Sequence, residues 1–203
     1  MNILAIDTTG PVLSLALQTG AEIRVFHREL ARPHDETLLP QVKRLLSRAG
    51  IGWSDLHALA AASGPGRFTG IRIGMAFGAV LADRLSIPAL PVSRLEALAA
   101  KSLGRDVCAV LPGYRDEIFY QIFKRGRSGG LRPAAPPVWA GASDWQAARA
   151  AFEARGLTFI QEDVRARDLL PCAAGSLRSG RKPRFEPLYL KPASYERPAV
   201  KAS

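Results

Sequence analysis

The chain has 203 residues, 47% hydrophobic and 23% charged, an ordinary globular balance that argues against extensive disorder and allows a substantial core. The net charge of +10 lies mostly in the second half, where residues 101–203 carry 18 Lys/Arg against 10 Asp/Glu, while residues 1–100 carry 10 against 8. Cys108 and Cys172 form no C-x-x-C, which excludes a redox or zinc signature, and no charge-free run approaches the ~20 residues of a membrane span.

Residues 2–6 are a short apolar run and predict a buried strand, closed by the turn Asp7-Thr8-Thr9-Gly10-Pro11. Residues 12–18 and 23–29 alternate as hairpin strands. Leu38, Leu39, Val42, Leu45, Leu46 and Ala49 then form one stripe at helical period, with Lys43, Arg44, Ser47 and Arg48 off it and Gly50 as terminator. Residues 56–63 read as an apolar strand, Gly64-Pro65-Gly66-Arg67-Phe68 as a glycine-rich turn, and 69–85 as a helix. A strand over 87–92 leads to a helix capped by Ser93 and running to about residue 100. Strands are expected at 107–111, 117–123 and 157–161, a helix at 145–155, a Gly/Pro/Arg-rich loop over 126–142, a weakly patterned segment at 170–182 and a loose tail from Pro192. Strands followed by strand–helix alternation predict an α/β fold with a mixed sheet.

Several chemistries find no support. His27, His34 and His57 supply no helical metal pair, and neither a G-x-S-x-G elbow nor a Walker A loop occurs. Gly64-Pro65-Gly66 followed by Gly70 is one residue too long for a dinucleotide fingerprint. Two loops could hold an anion or a hydrated cation. Asp7-Thr8-Thr9-Gly10 puts a carboxylate at a strand end, and Ser63-Gly64-Pro65-Gly66-Arg67 precedes a helix N-terminus. The alternative is that both loops simply turn the chain.

The helix over 69–85 has the most unusual pattern. Gly70, Gly74, Gly78 and Ala82 recur every four residues, and each glycine costs ~1 kcal/mol against alanine inside a helix. Ile73, Phe77 and Val80 make the opposite flank apolar too. A helix apolar all round is expected to be buried all round. Either this helix and that of residues 38–49 cover their own sheet, or a second polypeptide lies against the glycine stripe.

Three segments carry a family resemblance. Ile3-Leu4-Ala5-Ile6-Asp7-Thr8 resembles the first phosphate-loop hairpin of the actin-like ATPase superfamily. His34-Asp35-Glu36-Thr37-Leu38-Leu39-Pro40 and the run from Gly64 to Gly74 resemble the signatures of the TsaB family, the type 1 dimerisation subunit of the bacterial tRNA threonylcarbamoyladenosine complex. Pro187-Leu188-Tyr189-Leu190-Lys191 is similar to the family's C-terminal Pro-x-Tyr-Leu-Arg, whereas Pro112-Gly113-Tyr114-Arg115 departs from its Asp-Ala-Arg.

The resemblance implies an actin-like, ribonuclease H-like two-lobed α/β fold with mixed sheets. The lobes would be residues 1–100, with the dimerisation helices, and a reduced, basic 101–203. It implies a cytoplasmic, non-catalytic subunit, with no catalytic residue or metal of its own, that pairs with a TsaD-type catalytic subunit. A TsaE-type ATPase would be a third partner, tRNA would be reached through the complex, and the chain would also pair with itself as a homodimer. ATP would be used by the complex, with no cofactor bound by this chain alone. The implied partner interface is Leu38, Leu39, Val42, Leu45, Leu46, Gly70, Ile73, Gly74, Phe77 and Gly78, and Asp7, Thr8, Gly64, Pro65, Gly66 and Arg67 would be a vestigial phosphate loop.

The alternatives are an actin-like ATPase or small-molecule kinase using Asp7, a peptidase, and a free-standing RNA-binding module built on Arg181, Lys182, Arg184 and Lys191.

Overall fold

The computed structural model describes residues 1–29, 34–113, 115–127, 129–180 and 183–191, with the backbone alone for residues 34 and 35. Tyr114, Arg181, Lys182 and the tail from Pro192 lie outside the described residues.

The first sheet is built from β1 (Asn2–Asp7), β2 (Val12–Thr19), β3 (Glu22–Glu29), β4 (Ala58–Gly64) and β5 (Ala89–Ser93), in the spatial order β3-β2-β1-β4-β5. The hairpin pairs are antiparallel, and β4 runs parallel to both β1 and β5. Alternation along β1 sends Leu4 and Ile6 to one face and Ile3 and Ala5 to the other, and all four are fully buried. The first face is covered by α1 (His34–Ala49) and α2 (Phe68–Leu85), whose Leu38, Val42, Leu45, Leu46, Ile71 and Met75 join Leu13, Leu15 and Leu17. The second face is covered by α3 (Arg94–Lys101) and by α5 (Ala166–Arg178).

The second sheet contains β6 (Asp106–Pro112), β7 (Ile118–Arg125), β8 (Leu131–Pro133), β9 (Val138–Ala140) and β10 (Thr158–Ile160), in the order β10-β6-β7-β8 with β9 also paired to β7. Val107, Ala109, Leu111, Phe119 and Phe123 extend the core shared with α3 and α5. On the other face α4 (Ala142–Ala154) places Trp145 against Cys108, Val110 and Tyr120.

Several expectations are refined. The weakly patterned segment from residue 170 continues a helix as far as Arg178: α5 buries Ala166, Leu169, Leu170, Ala173 and Ala174. Its first amide, on Ala166, donates to Ser14 Oγ of β2 at 3.0 Å. α5, from the second half of the chain, packs on β1, β2, β4 and β5 of the first sheet. The loop over 126–142 contains the short strands β8 and β9. Ser93 stands at the N-cap of α3, yet its side chain makes no capping bond and its buried Oγ has no partner among the described residues.

Candidate functional site: an inter-lobe cleft and an outward helix face

The two loops singled out in the sequence meet. Arg67 N–H donates to Thr9 C=O at 2.8 Å, and a Cβ on Gly66 would stand 2.7 Å from Thr9 Cβ. Asp7 is 3% exposed at the end of β1. Its Oδ1 accepts from Thr9 N–H at 2.9 Å and from Thr9 Oγ1 at 2.6 Å. Its Oδ2 lies 3.3 Å from Arg94 Nε, an ion pair without an aligned hydrogen bond. Arg94 also donates through Nη1 to Pro65 C=O at 3.2 Å, tying both loops to the start of α3.

The carboxylate expected to face a cation thus has Oδ1 hydrogen-bonded to Thr9 and Oδ2 ion-paired with Arg94 without a hydrogen bond. Sequence reasoning did not find Arg94. An arginine in the first turn of a helix reads as a surface residue, and only the β1–β4–β5 topology brings position 94 to position 7.

The cleft beside this cluster has a volume of about 650 Å³, with Thr9, Gly66, Arg94, Leu111, Phe119 and Tyr189 among its walls. One wall is the segment 183–191, which crosses from the first sheet to the second. Leu188 N–H donates to Ser63 C=O at 2.7 Å. A Cβ on Gly64, where φ is +119°, would stand 2.6 Å from Leu188 C=O, so glycine is required there by conformation and by space. Tyr189 packs on Phe68 at 4.7 Å between centroids, and its Oη accepts from Arg72 Nε at 3.2 Å. Lys191 ion-pairs with Glu117 and lies 5.6 Å from the centre of the Trp139 ring. The Pro-x-Tyr-Leu-like segment is thus a strap that closes the cleft.

The glycine stripe faces inward. A Cβ on Gly70 would stand 2.1 Å from Thr8 C=O, one on Gly74 2.5 Å from Thr8 Oγ1, and one on Gly78 2.8 Å from Leu59 Cδ2. Thr8 Oγ1 donates to Gly70 C=O at 2.7 Å. Gly70, Gly74 and Gly78 exist so that α2 can lie against β1 and β4, which corrects their assignment to a partner interface. Leu38, Val42, Leu45 and Leu46 are corrected likewise: all four are buried in the chain's own core beneath α1.

The outward side of α2 carries what remains. Val80 is 71% exposed, Ala76 and Ala79 are exposed, and Ile73 and Phe77 are half-buried. Leu39 of α1 is exposed as well. The expectation that α2 is buried all round thus fails for the isolated chain.

Among the described residues no three His, Cys, Asp or Glu side chains gather as a metal site, and no helix is long and apolar enough to cross a membrane. Burial pushes the Cys108 thiol up to about 12, and burial followed by the nearby Glu96 does the same for Cys172.

The paired mixed sheets, with a cleft between them and helices on the outer faces, define an actin-like α/β protein. A crystal structure described as an uncharacterized protein with similarity to peptidase YeaZ from Pseudomonas aeruginosa superposes at a TM-score of 0.73 with 28% identity, covering 94% of this chain and 99% of that one. A second, titled YeaZ from the same organism, gives 0.72 at 25% identity, covering 93% and 99%. The family model described as TsaD, tRNA N6-adenosine threonylcarbamoyltransferase, matches residues 25–132.

The chain belongs to the family this model describes, within its TsaB-named relatives. The tRNA threonylcarbamoyladenosine biosynthesis protein TsaB of Escherichia coli is 32% identical over 64% of this chain and 58% of its own length. That of Bacillus subtilis is also 32% identical, over 71% and 64%. The uncharacterized protein Rv3421c of Mycobacterium tuberculosis is 33% identical over 69% and 65%. In each case the match spans less than two thirds of the relative's own length.

Proposed function

We propose that the chain is a non-catalytic subunit required for threonylcarbamoylation of the adenosine next to the anticodon in tRNA. It acts by pairing with a TsaD-type catalytic subunit. The docking surface is the outward side of α2 with the adjoining edge of α1: Leu39, Ile73, Ala76, Phe77 and Val80. The observation that carries the reading is Val80, a large apolar side chain 71% exposed on a helix whose other flank is fully used by the chain's own sheet. Exposed apolar side chains in a row on one face mark an interaction site. A TsaE-type ATPase is the third partner, tRNA is engaged through the complex, and the same face supports a weaker homodimer in the cytoplasm.

The ion pair between Asp7 and Arg94 supports the non-catalytic reading, since a guanidinium already stands beside the carboxylate where a hydrated cation would sit. ATP is then used by the complex and not by this chain alone.

The test is reconstitution of tRNA modification from TsaD-type and TsaE-type proteins with and without this chain. Product that requires the chain, together with no ATP turnover by the chain alone, agrees with the proposal. The cleft of about 650 Å³ beside Asp7 favours one competing reading, an actin-like kinase or ATPase. Turnover by the chain alone that Asp7→Asn removes would establish that reading instead.

A further inference from the structure

The hydrogen-bonded register gathers cations at one end of the second sheet. Lys124 of β7 stands directly opposite Arg132 of β8, so both side chains leave the same face, and both are exposed. Arg125 N–H donates to Arg105 C=O at 2.7 Å, which fixes the exposed Arg105 beside the end of β7. The exposed Arg127 lies in the turn between β7 and β8, where Gly126 N–H donates to Gly130 C=O at 2.9 Å. Arg125 fastens these pieces together. Its guanidinium donates to Ser102 C=O at 2.5 Å and to Gly129 C=O at 2.7 Å, tying the loop that enters β6 to the β7–β8 turn.

Over residues 104–107 and 124–133 the sequence holds a single carboxylate, Asp106, which is half-buried opposite Lys124. Neither Asp106 nor any of Arg105, Lys124, Arg127 and Arg132 forms an ion pair with a described residue. Like charges directly opposite each other on a sheet repel, and no described ion pair offsets the repulsion between Lys124 and Arg132. A polyanion laid across the pair removes that repulsion and releases its own counterions. Leu103, 94% exposed, stands in the adjoining loop. A protein partner would need an apolar centre around it, whereas its exposed neighbours Lys101 and Arg105 are charged. The chemistry of this end therefore favours phosphate over a protein surface.

We infer that this end of the second sheet holds the sugar–phosphate backbone of tRNA directly, with Lys124 and Arg132 as the central phosphate contacts and Arg105 and Arg127 beside them. The inference rests on the tRNA role proposed above and adds which surface of this chain meets the RNA. Phosphate contacts carry no sequence information, so the hold is common to different tRNAs.

The experiment follows labelled tRNA of the same organism by fluorescence anisotropy as it binds the full chain, alone and paired with the TsaD-type protein. About four phosphate contacts give a slope near −3 for log affinity against log salt, roughly a sixtyfold loss between about 50 and 200 mM NaCl. The K124Q/R132Q variant is expected to make that slope shallower by about 2 and to weaken binding at low salt at least about tenfold, equally for different tRNAs. R105Q/R127Q, outside the strands, is expected to act in the same direction and serves if the first variant does not fold. Affinity and slope unchanged in both variants would overturn the inference. So would tRNA binding left intact while these variants and Leu103→Asn weaken the pair with the TsaD-type protein, since this end would then be a protein-docking surface. Reconstituted tRNA modification separates the two readings. Product that still requires the chain, with tRNA binding indifferent to the charge variants, sinks the inference alone; product made equally well without the chain sinks the subunit reading itself.

Discussion

The two flanks of α2 have similar apolar character and opposite uses. The inner flank, Gly70, Gly74 and Gly78, is cut to the shape of Thr8 and Leu59. The outer flank, with Ala76 and Val80, is exposed. Small residues record how close a neighbour comes but not whose chain the neighbour belongs to. A stripe of glycines on a helix is therefore poor evidence for a partner, while a large apolar side chain left in solvent opposite that stripe is better evidence.

The contrast predicts that substitutions on the inner flank cost stability and those on the outer flank cost association. Gly70→Val should have the largest effect. It drives a branched side chain into the Thr8 backbone, which cannot swing aside, and should lower unfolding free energy by at least about 3 kcal/mol in denaturant titrations. A loss under about 1 kcal/mol would mean that α2 does not sit against β1 as described.

Arg94→Ala tests the anchor behind that flank. It leaves Asp7 buried with the Thr9 bonds alone and should cost about 2–3 kcal/mol. In a double-mutant cycle, adding Asp7→Asn should recover part of that loss, because the uncompensated charge is gone.

The second sheet gives a smaller, pH-dependent effect. A thiol held at about 12 when folded and near 9.0 when unfolded stays protonated in the native state while the unfolded chain releases its proton. Its contribution is fully present below pH 9 and declines as pH rises toward 12. At pH 10 the loss is about 1 kcal/mol per thiol, and Cys108→Ala should flatten the decline of Tm between pH 8 and 10.5. An identical decline in the variant would show that Cys108 is not the titrating group. Smallest of all, Val80→Asn should move unfolding free energy by less than about 0.5 kcal/mol, as befits an exposed position.

Much of the first half was legible in the sequence because its signals are local. The alternation of β1 and β2, the 3.6-residue stripe of α1 and the extent of α2 follow from side-chain period alone. The meeting of the Asp7 and Gly66 loops could be anticipated from the family resemblance.

What escaped depends on contacts distant in sequence. α5 is as amphipathic as α1, but Pro171 inside it and the small alanines that make up most of its buried stripe obscure the helix, and its first turn is held by Ser14, 152 residues earlier. Arg94 reaches Asp7 only after two parallel crossovers have placed β5 beside β4. β8 and β9, three residues each, are shorter than any periodic signal. For α2 the glycine spacing was visible, and the direction it faces was not.

The most direct measurement is the affinity of the full chain for the TsaD-type protein, with Leu39 and Val80 both changed to Asn. The account predicts a loss of about a hundredfold or more, with Tm held within about 2 °C of the unaltered chain. Unaltered affinity with unaltered Tm would contradict it and return the outward face of α2 to ordinary surface.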